Sequence, residues 1–220
     1  MQRYVEASAS HENAARARRL LDRVVPDPIL HARFVNMLAR LEYIGVRKIL
    51  KSRRSERLDL DGLQHILDEA VHALRLKKAA SALGAASGVD VRTFAAGATL
   101  AGDAAENYLQ ALDHRAEEAL VDLPEIDRAE ANYLLTSAAV EVRAQVFYPM
   151  YDQILRAHDA GFSVAAISKD EDRHLEEMTI GLGAALGDWR PRLEPVLAAE
   201  EALFSRFLGA LEKAAEAPNG

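Results

Sequence analysis

Apolar residues recur along most of this chain at intervals of three or four positions, which is the period of an α-helix. Prolines, glycines and capping side chains mark where one predicted helix ends and the next begins. No segment alternates apolar and polar residues over a stretch long enough to predict a strand. The predicted helices span about 10–24, 28–52, 59–84, 92–120, 125–158 and 162–186, with a last helix after Pro191.

Composition also favours an all-α fold. The 220 residues include seven prolines and twelve glycines, and 50% are hydrophobic but only 6% aromatic, in a background rich in Ala, Leu, Arg and Glu. A chain of this length can bury one core, so we expect a single domain over residues 1–220. Pro149 is expected to kink its helix, and residues 217–220 are expected to fray.

The overall charge argues against a nucleic-acid partner. The formal net charge is -7, which leaves no broad basic surface. One basic cluster is the exception, and we interpret it as a helix C-terminus followed by a solvated linker. A docking site for an acidic redox partner is the alternative interpretation. The cluster consists of Arg47, Lys48, Lys51, Arg53, Arg54 and Arg57.

The chain contains no cysteine, which excludes disulfides, thiolate zinc sites, a rubredoxin-type domain and a cysteine nucleophile. Electrons for any redox reaction must then come from another protein or a small molecule. No apolar signal-peptide core lies near the N-terminus, and no run of about eighteen apolar residues occurs anywhere. These features predict a cytoplasmic protein without a membrane span.

Two copies of the sequence Asp-Glu-x-x-His indicate a metal site. They occupy residues 68–72 and 170–174, and each follows an upstream glutamate, Glu42 or Glu141, on an apolar helix face. A glutamate and a histidine three positions apart project from the same side of a helix. A carboxylate on an apolar face needs a partner, because burying a lone charge is very costly. The pattern therefore predicts that these residues converge on two metal ions.

Each predicted ligand has an expected role. Glu69 and Glu171 would bridge the two ions, because a carboxylate offers one oxygen to each. Glu42 and Glu141 would each bind a single ion, and each histidine would supply one ring nitrogen. Four carboxylates would balance the charge of two divalent ions. The predicted ligands are Glu42, Glu69, His72, Glu141, Glu171 and His174.

Five neighbouring residues have expected supporting roles. Asp68 and Asp170 are placed to accept a hydrogen bond from the ligand histidine on the facing helix. His65 is expected to support the site or to pack in the core, with a ligand role as the alternative. Gln145 is expected either to bond a ligand carboxylate or to lie at a polar rim. Tyr148 is the candidate catalytic residue, as a redox-active tyrosine, with ordinary packing as the alternative.

These motifs resemble the ferritin-like di-iron carboxylate superfamily, which includes bacterial multicomponent monooxygenases, ribonucleotide reductase small subunits, aldehyde-deformylating oxygenases, rubrerythrins and ferritins. The resemblance implies a four-helix bundle with a long helical crossover, here about 92–120, and extra helices at both ends. It also implies two iron ions, with manganese or a mixed pair as the alternative. The motifs are Glu42, Asp68-Glu69-x-x-His72, Glu141 and Asp170-Glu171-x-Arg173-His174, within a bundle at about 28–186.

The function that we expect from this resemblance is an oxidase or oxygenase. It would activate O2 at the two irons and oxidise a small, partly apolar organic molecule. We also expect an external electron donor, and we consider a homodimer. A peroxide-handling enzyme of rubrerythrin or manganese-catalase type is the first alternative. Iron storage and a metal-free helical interaction protein are the others.

Overall fold

Helices make up most of the chain in the computed structural model, which describes residues 1–53, 56 and 58–217. The all-α class is therefore confirmed, with no strand among the described residues. None of the described helices is long and apolar enough to cross a membrane. The α-helices are α1 (Gln2–Ser10), α2 (Glu12–Val24), α3 (Pro28–Ser52), α4 (Leu60–Ser87), α5 (Ala104–Glu118), α6 (Glu125–Ala157), α7 (Ala165–Leu186) and α8 (Arg190–Glu216).

Local capping explains where α3 and α4 begin. Asp27 precedes Pro28, and its carboxylate accepts hydrogen bonds from the backbone N–H groups of Ile29 and Leu30. Asp59 accepts in the same way from the N–H of Gly62 at the start of α4. Both helices therefore start where the sequence predicted. Arg54 and Arg57 of the basic cluster lie outside the described residues, as do residues 218–220 of the predicted frayed end.

Several predicted boundaries were wrong. Helix α4 continues one turn past Gly84 and ends before Gly88, whose φ of 73° suits a left-handed helix terminus. The prediction of a single helix from about residue 10 missed α1. His11 has an extended backbone, separates α1 from α2 and caps the second helix. The prediction for α6 was right, because the helix runs from Glu125 to Ala157 with Pro149 inside it.

The helix predicted over 92–120 exists only from Ala104 onward. A short 3-10 helix, Ala96–Ala98, and turns with positive φ at Ala101 and Gly102 occupy the preceding segment. The side chain of Asn36 in α3 holds this segment by donating to two of its carbonyl groups. Contacts with α3 and α4, including two from Lys77, therefore hold this segment in a non-helical conformation.

Helices α3 and α4 form one antiparallel pair. The Nζ of Lys77 in the second half of α4 donates to Asn36 in the first half of α3, at 2.6 Å, whereas Gly45 late in α3 faces Glu69 in the first half of α4. Helices α6 and α7 form the second antiparallel pair. The Asp152 carboxylate accepts from the backbone N–H of Val164 at 3.0 Å, near the turn between them.

The two pairs pack so that α4 and α7 are antiparallel, while α4 and α6 run in the same direction. His65 contacts Tyr133 near the start of α6 and His174 in the middle of α7. Because α4 and α6 run in the same direction, the chain between them must return along the length of the bundle. Residues 88–124, which include α5, provide that connection.

A buried ion pair fixes α8 against α5 and α6. The Arg143 guanidinium of α6 donates to both oxygens of Glu200 in α8, at 3.0 and 2.7 Å, and Tyr108 of α5 donates to the same carboxylate at 2.7 Å. Arg143 and Glu200 are 6% and 2% exposed. Because both charges are out of water, each depends on the other for compensation. The pair therefore determines how α8 is seated.

We predict that Glu200→Ala lowers the free energy of unfolding by about 3 kcal/mol, because it leaves the Arg143 charge buried without its bidentate partner. Glu201, 2.8 Å from the same guanidinium, compensates only in part. Urea denaturation measures the loss. A matched control is Glu212→Ala, also in α8. It breaks a partly exposed bidentate ion pair with Arg16 of α2. The control should cost about 1 kcal/mol or less, and equal losses would contradict the prediction.

Candidate metal centre

Helices α3, α4, α6 and α7 bring seven buried glutamates and histidines to one place inside the bundle. Within this cluster, two groups of four residues each have ligand atoms within 4.8 Å of one another, which is close enough to hold a metal ion. Both groups include Glu69, so the two candidate positions share a carboxylate. The first group is Glu42, Glu69, His72 and Glu171, and the second is His65, Glu69, Glu141 and His174.

In the first group, the Nδ1 atom of His72 faces carboxylates without a well-formed hydrogen bond. It lies 3.4 Å from Oε1 of Glu171 and 3.7 Å from Oε2 of Glu42. This nitrogen is fully buried and has no hydrogen-bond partner. Buried polar atoms are rarely left unpaired, because the loss of water is then uncompensated. The first group therefore presents a nitrogen and several oxygens to a position that a cation can occupy.

The second group includes His65, for which the sequence favoured a supporting or core role over a ligand role. Its Nε2 atom lies 3.4 Å from Oε1 of Glu69, and its ring stacks on that of His174 with centroids 4.0 Å apart. The Nδ1 atom of His174 lies 3.8 Å from Oε1 of Glu141, whose other oxygen is buried and unpaired. The second position is therefore faced by two histidines.

The other ring nitrogen of each histidine is held in place. His72 Nε2 donates to Asp170 Oδ2 at 3.1 Å, while His174 Nε2 lies 3.5 Å from Asp68 Oδ2. The aspartate of each motif thus reaches the histidine of the other motif. His65 Nδ1 shares a hydrogen bond of 3.0 Å with the hydroxyl of Tyr133. Such partners fix which nitrogen faces inward, here Nδ1 of His72 and of His174 and Nε2 of His65.

The electrostatics of the metal-free cluster show how its charge is balanced. Burial and the carboxylates of Glu42 and Glu171 raise the pKa of Glu69 well above its usual range. Burial and Glu171 raise the pKa of Glu141 in the same direction. Burial lowers the pKa of His72, but the carboxylates of Glu171 and Glu42 outweigh it and raise that pKa to about 11. Protons therefore hold positions that cations would take, because metal binding and protonation compete for the same atoms.

The pKa of Glu171 is shifted in the opposite direction from those of Glu69 and Glu141. Burial alone would raise the pKa of Glu171, but the hydrogen bond with His174 and the close approach of the His72 ring outweigh it and lower that pKa below its usual range. Its Oε1 faces His72 Nδ1 at 3.4 Å, and its Oε2 faces His174 Nδ1 at 3.0 Å. The two oxygens of Glu171 are thus directed to different halves of the cluster.

The two remaining candidates differ in what they contact. Tyr148 is buried, and its hydroxyl donates to Oε1 of Glu42. Burial, followed by the charge of Glu42, raises the pKa of this tyrosine. The side-chain nitrogen of Gln145 is buried without a hydrogen-bond partner, so the expected bond from its amide to a ligand carboxylate is not formed by that atom. Tyr148 therefore belongs to the surroundings of the cluster, whereas Gln145 has no assigned partner there.

A cavity of about 220 Å³ adjoins the carboxylate side of the cluster. It reaches all four clustered glutamates, and polar residues such as Lys48, Gln110 and Asp113 line another part of it. An apolar cavity of about 150 Å³ is known to hold benzene, so this one has room for a somewhat larger apolar group. Most of the wall is apolar and comes from α3, α5, α6 and α8, including Phe34, Leu38, Tyr108, Val140, Phe147, Phe204, Phe207 and Leu208.

Sequence reasoning placed His65 near the site but favoured a supporting role, although it precedes Glu69 by four residues and so shares its helix face. It missed Tyr133, which carried no motif. The cavity wall on α5 and α8 was indistinguishable from ordinary core packing, because its aromatic and aliphatic residues simply follow the helical period.

No known family model matches this chain, and neither a curated protein nor a solved structure matches it. What the cluster can do therefore follows from its own geometry and chemistry. Buried carboxylate and imidazole ligands suit first-row divalent ions such as iron and manganese, and the absence of thiolates does not favour a structural zinc site.

We predict that Gly45→Ala lowers metal affinity at least tenfold, because a Cβ at this position would lie 2.5 Å from Oε2 of Glu69 and displace that carboxylate. Anaerobic titration calorimetry with Co²⁺ measures the affinity. Gly183→Ala is the matched control, since its Cβ would meet nothing within 4 Å. Each change gains about 0.5–1 kcal/mol of helix propensity, so stability alone does not separate them. An unchanged Co²⁺ affinity in Gly45→Ala would contradict the proposed place of Glu69.

Proposed function

We propose that this chain is a non-haem di-iron oxidase or oxygenase of the ferritin-like carboxylate class, which uses O2 to oxidise an apolar group of a small organic molecule. The observation that carries the proposal is the pair of overlapping four-residue groups, joined at Glu69 and bordered by an apolar cavity. Two adjacent ions are the usual reason for a shared carboxylate in a buried site.

Charge and geometry support two ions and not one. Four clustered carboxylates carry four negative charges if all are ionised, which matches two divalent cations. Glu171 directs one oxygen to each half of the cluster, as a bridging carboxylate does. Glu69 belongs to both groups and is the second bridge in this proposal. Glu42 and His72 would then bind one ion, and Glu141 and His174 the other.

His65 becomes a seventh ligand in this proposal. It lies in the second group with its Nε2 atom facing Glu69, and Tyr133 holds the opposite nitrogen. The ion held by Glu141 would have two histidines, whereas the ion held by Glu42 would have one. The two positions would therefore differ in affinity and in how many sites they leave open to O2.

The course of the helices supports the ferritin-like assignment. In that class, two antiparallel helix pairs carry the ligands, and one long crossover joins them. Here α3 with α4 and α6 with α7 are the pairs, each supplying one glutamate and one Glu-x-x-His motif. Residues 88–124 are the crossover.

The bound irons would supply the binding and activation of O2, and the chain would supply everything else. The cavity would hold the apolar group against the carboxylates and exclude water from it. The Tyr148 hydroxyl would position Glu42 and hold a proton at its Oε1. Insertion of one oxygen atom, with the other reduced to water, consumes two electrons and two protons. An external donor would provide the electrons, because the chain has no cysteine for an iron–sulfur centre.

A peroxide-handling di-iron or di-manganese enzyme is the second candidate, because its ligand types overlap with these. The apolar cavity favours the oxygenase, since peroxide is small and polar and does not need an aromatic wall. Iron storage and a purely structural role gain no support from this cavity.

We predict that anaerobic titration with Fe²⁺ reaches two equivalents per chain, because the proposed ligands form two positions. Exposure to O2 should then consume the gas and change the optical absorption, measured with an oxygen electrode and a spectrophotometer. The double variant Glu69→Ala, Glu171→Ala removes both bridges and should lose both equivalents. Metal-free behaviour of the parent chain would overturn the proposal, and rapid O2 evolution from peroxide by a manganese form would favour the second candidate.

We predict that His65→Ala retains one tight equivalent of Fe²⁺ and weakens the other at least tenfold, because only the second position uses this ring. The exposed histidine His114 provides the control, and His114→Ala should leave both equivalents unchanged. Unchanged binding of both ions in His65→Ala would return His65 to a supporting role without affecting the other six ligands.

A further inference from the structure

Helix α4 has a second apolar face that the metal cluster does not use. Its inner face carries the clustered residues, whereas its outer face carries leucines that are 53–78% exposed. Their spacing, with one exposed alanine, alternates between three and four positions. That alternation is the a and d pattern of a coiled-coil seam. The outer seam consists of Leu60, Leu63, Leu67, Ala70 and Leu74.

The seam is concentrated on one helix. Nine large hydrophobic residues are exposed in the described part of the chain, and four of them are the seam leucines. Scattered exposed leucines are normal, but a contiguous apolar stripe with the spacing of coiled-coil a and d positions marks an interaction surface. A helix with the same spacing is the partner that fits such a stripe.

Charge along α4 identifies the partner and its direction. Asp59 and Asp61 are exposed at the N-terminal end of the seam, whereas Arg75 and Lys78 are exposed at its C-terminal end. An antiparallel copy of the same helix would set the acidic end of one against the basic end of the other. A parallel copy would set like charges side by side, which is unfavourable.

We propose that α4 of one copy packs antiparallel against α4 of a second copy, forming a two-fold symmetric dimer. Leu63 of each copy would pack near Leu74 of the other, and Leu67 near Ala70, whose small side chain lets the helices approach. Each contact would occur twice, as in an isologous interface. No seam residue lines the cavity, so the dimer leaves it uncovered and does not depend on the metal proposal.

Molar mass in solution tests the seam. The full chain should sediment as two copies at micromolar concentration, whereas Leu63→Glu, Leu67→Glu should sediment as one copy with an unchanged helical circular dichroism spectrum. The matched control is Val121→Glu, Ile126→Glu, which charges two residues elsewhere that are at least about as exposed as the seam leucines, and this variant should remain two copies. A parent chain that is monomeric at tens of micromolar, or a seam variant that stays dimeric, would overturn the proposal.

Cross-linking tests the direction, because the chain has no cysteine of its own. Ala70→Cys lies near the proposed two-fold axis and should give a covalent dimer with a short bis-maleimide. Leu60→Cys should not, because the two copies of residue 60 would lie roughly 25 Å apart along antiparallel helices. Efficient cross-linking of Leu60→Cys would show a parallel pair and overturn the antiparallel arrangement.

Discussion

The rest of the structure depends on the burial of four carboxylates in one cluster. Ionised carboxylates cannot leave water together unless protons, cations or hydrogen bonds compensate them. In the metal-free chain, the raised pKa values of Glu69, Glu141 and His72 all favour protonation, which reduces the net negative charge of the cluster. The close approach of α3 to α4 at Gly45 follows from the same need, because the Glu69 carboxylate occupies the space beside it.

The cluster separates two different environments. On its carboxylate side lies the cavity, whose wall is mostly apolar but also includes polar residues such as Lys48, Gln110 and Asp113. On its histidine side lies an ionic network, in which Arg173 donates to both Asp68 and Glu177. An apolar molecule would therefore reach the cluster from the cavity, while the charged side would tune the imidazoles. This division is what makes substrate oxidation a better fit than storage for the proposed centre.

Local chemistry made much of the bundle predictable. An aspartate cap beside Pro28 sets the start of α3, and a spacing of three places Glu69 and His72 on one face. Features that depend on distant residues were not predictable. The ring of His65 stacks on His174 in the cluster, and Asn36 of α3 donates to two carbonyl groups of the non-helical segment before α5. The cavity depends on how α8 is seated, which spacing along α8 alone does not reveal.

The exchange of aspartates between the two motifs has a consequence for assembly. Asp68 on α4 lies beside His174 on α7, and Asp170 on α7 accepts from His72 on α4. A helical hairpin of α3 and α4 alone would have its histidine but not the carboxylate that orients it, and the other hairpin would be equally incomplete. The two halves of the internal repeat are therefore interlocked, so that neither can form a competent half-site before the bundle has closed.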